Sequence, residues 1–439
     1  MVEVHEILNY AESLGAQEAE VLADHTTFNY ARFERGEPQQ TLVGDITEYA
    51  IRILADHSMG CAYFTDNWIS SVREAFSIAQ RGYQDRTRPS FSSDTPPALL
   101  HLSHPSVEEV TLDTLISDLA SLSTIIDDER IVATTSASQA AHSTIEVANT
   151  SGLYQRESST LVSSRVMCRA KDTDYGMGYA HAYSLAYDID LESLGMKAQE
   201  DALNQLGKKR PESGNTCVIL SPRVVANLLV CAALPSFLGH NVVEGRSILH
   251  IGDRVASDHI RVVENPLTEG PEGRSFDDEG VASHAVDLIA GGCVHSFLYD
   301  RYYGTSTGSG IRYGRYRGRN LKEPPLPCAT SLFLHGTSSP LEDMISSVDE
   351  GLLIVDETNS HASKSQSGLF SIAVTSGFEI KKGELCAPVN RCMISGLAFE
   401  DLLPHTCCIS RERELHRSFV YPTYVDTGYA MVDSLRVTA

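Results

Sequence analysis

The sequence predicts an α+β protein: an N-terminal α+β half carrying a candidate internal duplication, and a C-terminal β-rich half with a curved or barrel-like antiparallel sheet. Three observations predict it. Helical apolar spacing is concentrated before residue 238, a strand-turn-strand-helix order of signals occurs twice before residue 207, and the remainder is short β-prone runs separated by Gly, Pro, Asn and Asp. With 439 residues, 42% apolar and 21% charged, the chain has room for two or three packed units of ordinary globular composition. The composition shifts place them at residues 1–90, 91–212 and 213–439.

Val4, Ile7, Leu8, Ala11 and Leu14 stand at helical spacing, and Gly15 ends that first helix. Strand signals follow at Glu18–Ala23 and Glu48–Ala55, then a turn at His57–Gly60 into Cys61–Phe64, and a helix over about 67–81. Residues 86–105, rich in Ser, Pro and Thr, read as a surface connection, and 108–126 as a helix. The same order then returns: Ile145–Ala148, the turn Asn149–Gly152, a strand over 160–170, a turn near Asp174, another strand, and a helix over about 191–206. Arg52–Asp56 with Gly60–Tyr63 compares with Val166–Ala170 with Gly178–Ala180, each followed by an Ala-rich helix, which is the basis for the duplication. Lys208–Gly214 marks the next boundary, beyond which come an apolar helix over 222–237 and a short one over 340–348. Phe378–Leu385 reads as a hairpin, with Gly383 supplying the positive φ of its turn.

Lys plus Arg number 35 against 58 Asp plus Glu, a net charge of −23 that repels phosphate backbones and anionic membranes. Nucleic acid and membrane are therefore not expected as partners. The N-terminal residues have neither a basic nor an apolar signal region, and the longest apolar stretch, 224–238, falls short of the roughly 20 residues a bilayer span needs. The expectation is a cytoplasmic protein whose ten cysteines, with no CxxC among them, are reduced.

The motifs of common hydrolases and nucleotide binders are absent: no HExxH, no GxSxG, no GxxxxGK[ST]. His101 and His104 form an HxxH without an accompanying Glu and read as loop residues. Phe276-Asp-Asp-Glu-Gly280 reads as an acidic turn between strands rather than a cation site. Arg315, Arg317 and Arg319 alternate along an extended stretch and would share one face, with Arg312 just before them. In so acidic a chain these four arginines are the candidate contacts for peptide carboxylates or a partner's acidic surface, and neutralisation of the chain's own acids is the competing reading.

Asn149–Gly152, Phe276–Val281, Ser306–Arg312, Gly351–Val355, Gly377–Val389 and Ile394–Gly396, in that order, resemble the TldD/PmbA family, also called modulators of DNA gyrase. The resemblance runs through nearly the whole chain from about Gly15. It implies an intracellular zinc metallopeptidase system acting on small unfolded peptides, in which a TldD-type subunit carries His-Glu-x-x-x-His and a distal Cys, and pairs with a PmbA-type (TldE) subunit lacking them. In that register the zinc helix falls on Pro235-Ser-Phe-Leu-Gly-His240, where only Gly239 and His240 match. Proline has no lone pair to offer a metal, and a serine hydroxyl cannot replace a carboxylate base. No Cys lies over 412–418, where the distal one belongs. The implied role is a PmbA/TldE-type chain with no metal, no cofactor and no catalytic residues of its own, partnered by a zinc-bearing TldD-type subunit as a heterodimer or by a second copy as a homodimer. Two alternatives stay open. One is a peptidase with an unconventional site around His240, Glu244, Cys407 and Cys408. The other is a gyrase- or DNA-associated regulator, for which 312–319 offers the one basic stretch.

Overall fold

The stripe Val4, Ile7, Leu8 and Ala11 buries one face of helix α1 (Val4–Ser13) against the first strand, β1 (Glu18–Glu34), and its partner β2 (Glu37–Ala55). β3 (Ser58–Phe64) and helix α2 (Trp68–Arg81) complete a unit of form α-β-β-β-α. The form then repeats as α3 (Leu112–Ile125), β4 (Ile131–Asn149), β5 (Tyr154–Lys171), β6 (Tyr175–Ser184) and α4 (Leu191–Asn204). Thr111 and Asp190 cap α3 and α4 by accepting the backbone N–H of Thr114 at 3.2 Å and of Ser193 at 3.0 Å. The computed structural model describes residues 2–93, 97–314, 318–363 and 367–439.

The two units fuse through one antiparallel pairing, β1 with β4, into a six-stranded sheet of order β3-β2-β1-β4-β5-β6. The duplication is visible in the packing. A Cβ at Gly60 of β3 would fall 1.8 Å from the carbonyl oxygen of Ala75 in α2, and one at Gly178 of β6 would fall 2.1 Å from that of Ala198 in α4. In both units a glycine lets a helix lie directly on the last strand, with alanines at i and i+4 (Ala75 and Ala79; Ala198 and Ala202) forming the flat side of the helix.

The C-terminal half is built on a closed ring. β7 (Gly214–Leu220) pairs in parallel with Glu350–Thr358, which is followed around by Leu369–Lys381, Met393–Leu397 and Tyr424–Thr438, and the last strand pairs back onto β7. The expected barrel-like sheet is thus closed, with the pairing of β7 to Glu350–Thr358 parallel and the other four antiparallel. The apolar segment 222–237 packs against it and is apolar on all sides because it is buried on all sides: from Ser221 to Gly239 every residue is buried except Arg223. It is not one helix as expected. After α5 (Pro222–Leu228) the chain widens to a π turn at Leu229–Ala233 and tightens to a 3-10 turn at Leu234–Phe237. Pro235 lacks the N–H that would bond the carbonyl four residues back, and its ring crowds that position. The 378–385 hairpin forms as expected, with Lys382 at φ +51° and Gly383 at φ +78° giving the two left-handed residues its tight turn requires. Among the described residues no helix is long and apolar enough to cross a membrane.

Candidate functional site

Where the outer strand of the six-stranded sheet approaches the ring, a cavity of about 500 Å³ opens. β6 lines it with Tyr179, His181 and Tyr183, which alternate onto one face as strand geometry requires, their rings spaced 5.4 Å centroid to centroid. α5 adds Arg223. Ser221 fixes the start of that helix, its hydroxyl donating to the Val355 carbonyl at 2.7 Å and accepting from the Val224 N–H. The guanidinium of Arg223 lies over the Tyr179 ring, 4.2 Å from its centroid, and its Nε sits 3.1 Å from Asp356 Oδ1. Burial raises the Asp356 carboxyl above its ordinary range, against the pull of Arg223.

His181 reaches the Leu415 carbonyl at 3.3 Å and meets His416 edge-on at 5.3 Å. Burial pushes the His181 imidazole down to about 4 and His416 to about 3, so both are neutral at pH 7. A neutral imidazole beside tyrosines and an ion pair is a binding wall. Among the described residues no nucleophile with a hydrogen-bonded base is assembled around it.

At Pro235–His240 the geometry is equally definite. The Pro235 carbonyl accepts from Asn241 Nδ2 and the Ser236 carbonyl from Ser247 Oγ, both at 2.7 Å. Gly239 is a close approach, since a Cβ there would lie 2.3 Å from a Tyr299 ring carbon. His240 is half-buried against Tyr303, ring centroids 5.9 Å apart, and burial pushes it down to about 4. Glu244 pairs with Arg246 and accepts from the Tyr303 hydroxyl. Among the described residues no group of three or more His, Cys, Asp or Glu is placed to hold a metal ion, so Cys407 and Cys408 do not complete a ligand set with His240 and Glu244. The residues at this segment do not fit zinc.

Residues 213–439 match the PmbA/TldA metallopeptidase C-terminal domain, and residues 105–206 match the central domain of the same family. This chain belongs to the PmbA/TldD family. An uncharacterised protein of Methanocaldococcus jannaschii is 23% identical over 80% of this chain and 81% of its own length. A metalloprotease PmbA homolog of Buchnera aphidicola is 26% identical over 68% of this chain and 65% of its own. The crystal structure of TldE from Thermococcus kodakarensis superposes with a TM-score of 0.90 over 99% of both chains at 19% identity, which carries the fold.

In this PmbA/TldD chain several expected residues fall elsewhere than the sequence suggested. Asp277, Asp278 and Glu279 stand at the expected acidic turn, but it lies in the interior and all three are buried. Asp277 accepts the backbone N–H groups of Glu279 and Val281 at 2.9 Å and of Gly310 at 2.8 Å, while Arg274 pairs with Asp278. Arg312, expected as an accessible substrate or partner contact, is interior instead. Its backbone N–H donates to Asp278 at 2.6 Å and its Nη1 to the Glu323 carbonyl at 3.1 Å. The buried carboxylates draw it inward as a counter-charge. Arg315 and Arg317 lie outside the described residues, and Arg319 pairs its backbone with Tyr313. His104 serves the turn after it by accepting from the Ser106 N–H. The cleft residues Tyr179, His181, Arg223 and Asp356 were not anticipated. The Tyr-x-His-x-Tyr alternation over 179–183 was the signal available for them.

Proposed function

We propose that this chain is the zinc-free, PmbA/TldE-type member of a TldD/PmbA metallopeptidase system of the cytoplasm. It needs no cofactor of its own and contributes channel walls and a docking face to a TldD-type zinc-bearing subunit that cleaves small unfolded peptides. One observation carries the reading: where the resemblance places the first zinc ligand and the general base, this chain has Pro235 and Ser236, whose carbonyls are already engaged locally and whose side chains offer no ligand set. His240 alone cannot hold the ion. The net charge of −23 and the burial of Arg312 both weigh against a DNA-binding role.

The test is metal analysis and peptide hydrolysis on the purified chain, alone and co-expressed with a chain that carries an intact His-Glu-x-x-x-His. The expected result is no stoichiometric zinc and no chelator-sensitive hydrolysis alone, with co-purification and chelator-sensitive hydrolysis in the pair. Stoichiometric zinc in the single chain, with activity lost in His240→Ala, overturns the reading. Failure of the two chains to associate removes the docking role.

A further inference from the structure

Arg223 is the one residue between Ser221 and Gly239 that is not buried, and it faces the cleft. Its donors are not used up. The Nε is buried and pairs with Asp356 only off the line a hydrogen bond needs, and among the described residues the guanidinium makes no well-formed hydrogen bond. A half-buried guanidinium left in this state has N–H groups open to an acceptor, and the planar partner that satisfies two of them together is a carboxylate.

The surroundings narrow which carboxylate. Met177, Tyr179 and Tyr429 line the same cavity as Arg223 and supply apolar and aromatic surface to it. β6 is the outermost strand of its sheet, so among the described residues one edge of its backbone has no strand partner, and the unbroken run Met177–Tyr183 lines the cleft. Carboxylate, apolar side chain and extended backbone occur together at the end of a polypeptide. The cleft's acids do not reverse this. Asp201 lies 3.5 Å from Lys197, Asp356 is paired with Arg223, and Glu414 is exposed and solvated. They tolerate one ligand carboxylate on the arginine and disfavour a second beside it.

We propose that this cleft binds the C-terminal end of an extended peptide, with its carboxylate on Arg223, its backbone along the free edge of β6 and its last side chain among Met177, Tyr179 and Tyr429. The inference takes its substrate class, unfolded peptide, from the proposed function but asks nothing of a metal or a partner.

The test uses the full chain alone and an N-terminally fluorescein-labelled hexapeptide ending in Leu, followed by fluorescence anisotropy as the free acid and as the C-terminal amide. The free acid binds and the amide binds about ten- to a hundredfold more weakly, the weight of hydrogen bonds to a charged group. Arg223→Gln brings the free acid down to the level of the amide, and Arg223→Lys falls between. A Glu placed next to the last residue weakens binding. Equal binding of acid and amide by the unaltered chain, no binding of the acid, or undiminished acid binding by Arg223→Gln overturns the proposal. Zinc or hydrolysis found in the single chain would end the zinc-free reading while leaving the acid-to-amide ratio standing, so the two failures are separable.

Discussion

Arg52 Nη1 donates to Glu279 Oε1 at 3.0 Å, joining residues 227 positions apart in the chain. The same guanidinium holds Glu20 Oε1 through Nε at 2.9 Å and Nη2 at 2.7 Å, and lies 5.0 Å from the Phe91 ring centroid. All three charged side chains are buried. One arginine on β2 therefore neutralises an acid of the neighbouring strand β1 and an acid of the C-terminal half. Glu279 in turn accepts the Arg301 N–H through its other oxygen at 2.9 Å. This buried junction ties the six-stranded sheet to the part of the chain that carries the ring.

Removing Arg52 leaves the Glu20 and Glu279 carboxylates in a dry site, with Arg312 standing 3.9 Å from Glu20. Arg52→Met is expected to destabilise the protein by about 3–5 kcal/mol, the usual cost of breaking a buried pair from one side. Arg52→Lys recovers part of this, because one ammonium cannot replace a fork that donates in two directions. Urea unfolding measures both. A loss under about 1 kcal/mol for Arg52→Met would show that the junction is not a dry ion cluster.

The paired glycines of the two units make a matched prediction. Gly60→Ala and Gly178→Ala each place a methyl group inside contact distance of helix backbone, at 1.8 and 2.1 Å from a carbonyl oxygen, so the helix must lift off the strand. Each is expected to cost about 1–3 kcal/mol. A thermal scan showing neither variant below the unaltered chain would contradict the close packing of α2 on β3 and of α4 on β6.

How legible these features are in the sequence depends on how far apart their causes lie. Gly383 and the hairpin around it were readable because a tight turn needs its left-handed residue locally. The helix start at 222 was readable because Pro at the first helical position follows a capping Ser221, whereas the break after Leu228 was not. The duplication was readable through the repeated order of signals, the segments around Gly60 and Gly178 and the Ala-rich helices after them, because these are the features the close packing of helix on strand requires in both units. The full length of β1 and β4 was not readable. Beyond Ala23, β1 continues through His25, Thr26, Thr27 and Asn29, residues with no clear alternation, and it stays extended because β2 and β4 supply backbone partners on both sides as far as Glu34. The burial of the acids at 277–279 was not readable because their partners include Gly310, Arg312 and Arg52, and no local pattern announces a partner 33 or 227 residues away. The cleft was illegible for the same reason, as β6, α5 and the strand Glu350–Thr358 meet only in the fold.

The histidine pair beside the cleft gives a pH dependence of definite sign. His181 and His416 titrate in the fold at about 4 and about 3, below the ordinary 6.5, because burial disfavours the imidazolium; Arg223 opposes the charge on both, and the Leu415 carbonyl favours it on His181. Between pH 6.5 and 4 the unfolded chain therefore binds protons that the folded chain does not, so stability rises with pH across that window. Their contribution is fully present above pH 6.5 and is lost as pH falls through 4 and 3. Buried Glu264 and Asp300, both raised to about 7 chiefly by burial, act with the opposite sign, their contribution being lost as pH rises through 7. The histidine effect is isolated by comparing the native chain with His416→Phe, which also removes a buried ring nitrogen, Nδ1, that has no hydrogen-bond partner among the described residues. At pH 7.5 urea unfolding is expected to find the variant within about 1 kcal/mol of the native chain. At pH 5 the native chain bears a penalty of about 2 kcal/mol that the variant escapes. Parallel pH profiles for the two proteins would show that His416 takes up its proton in the fold as readily as out of it.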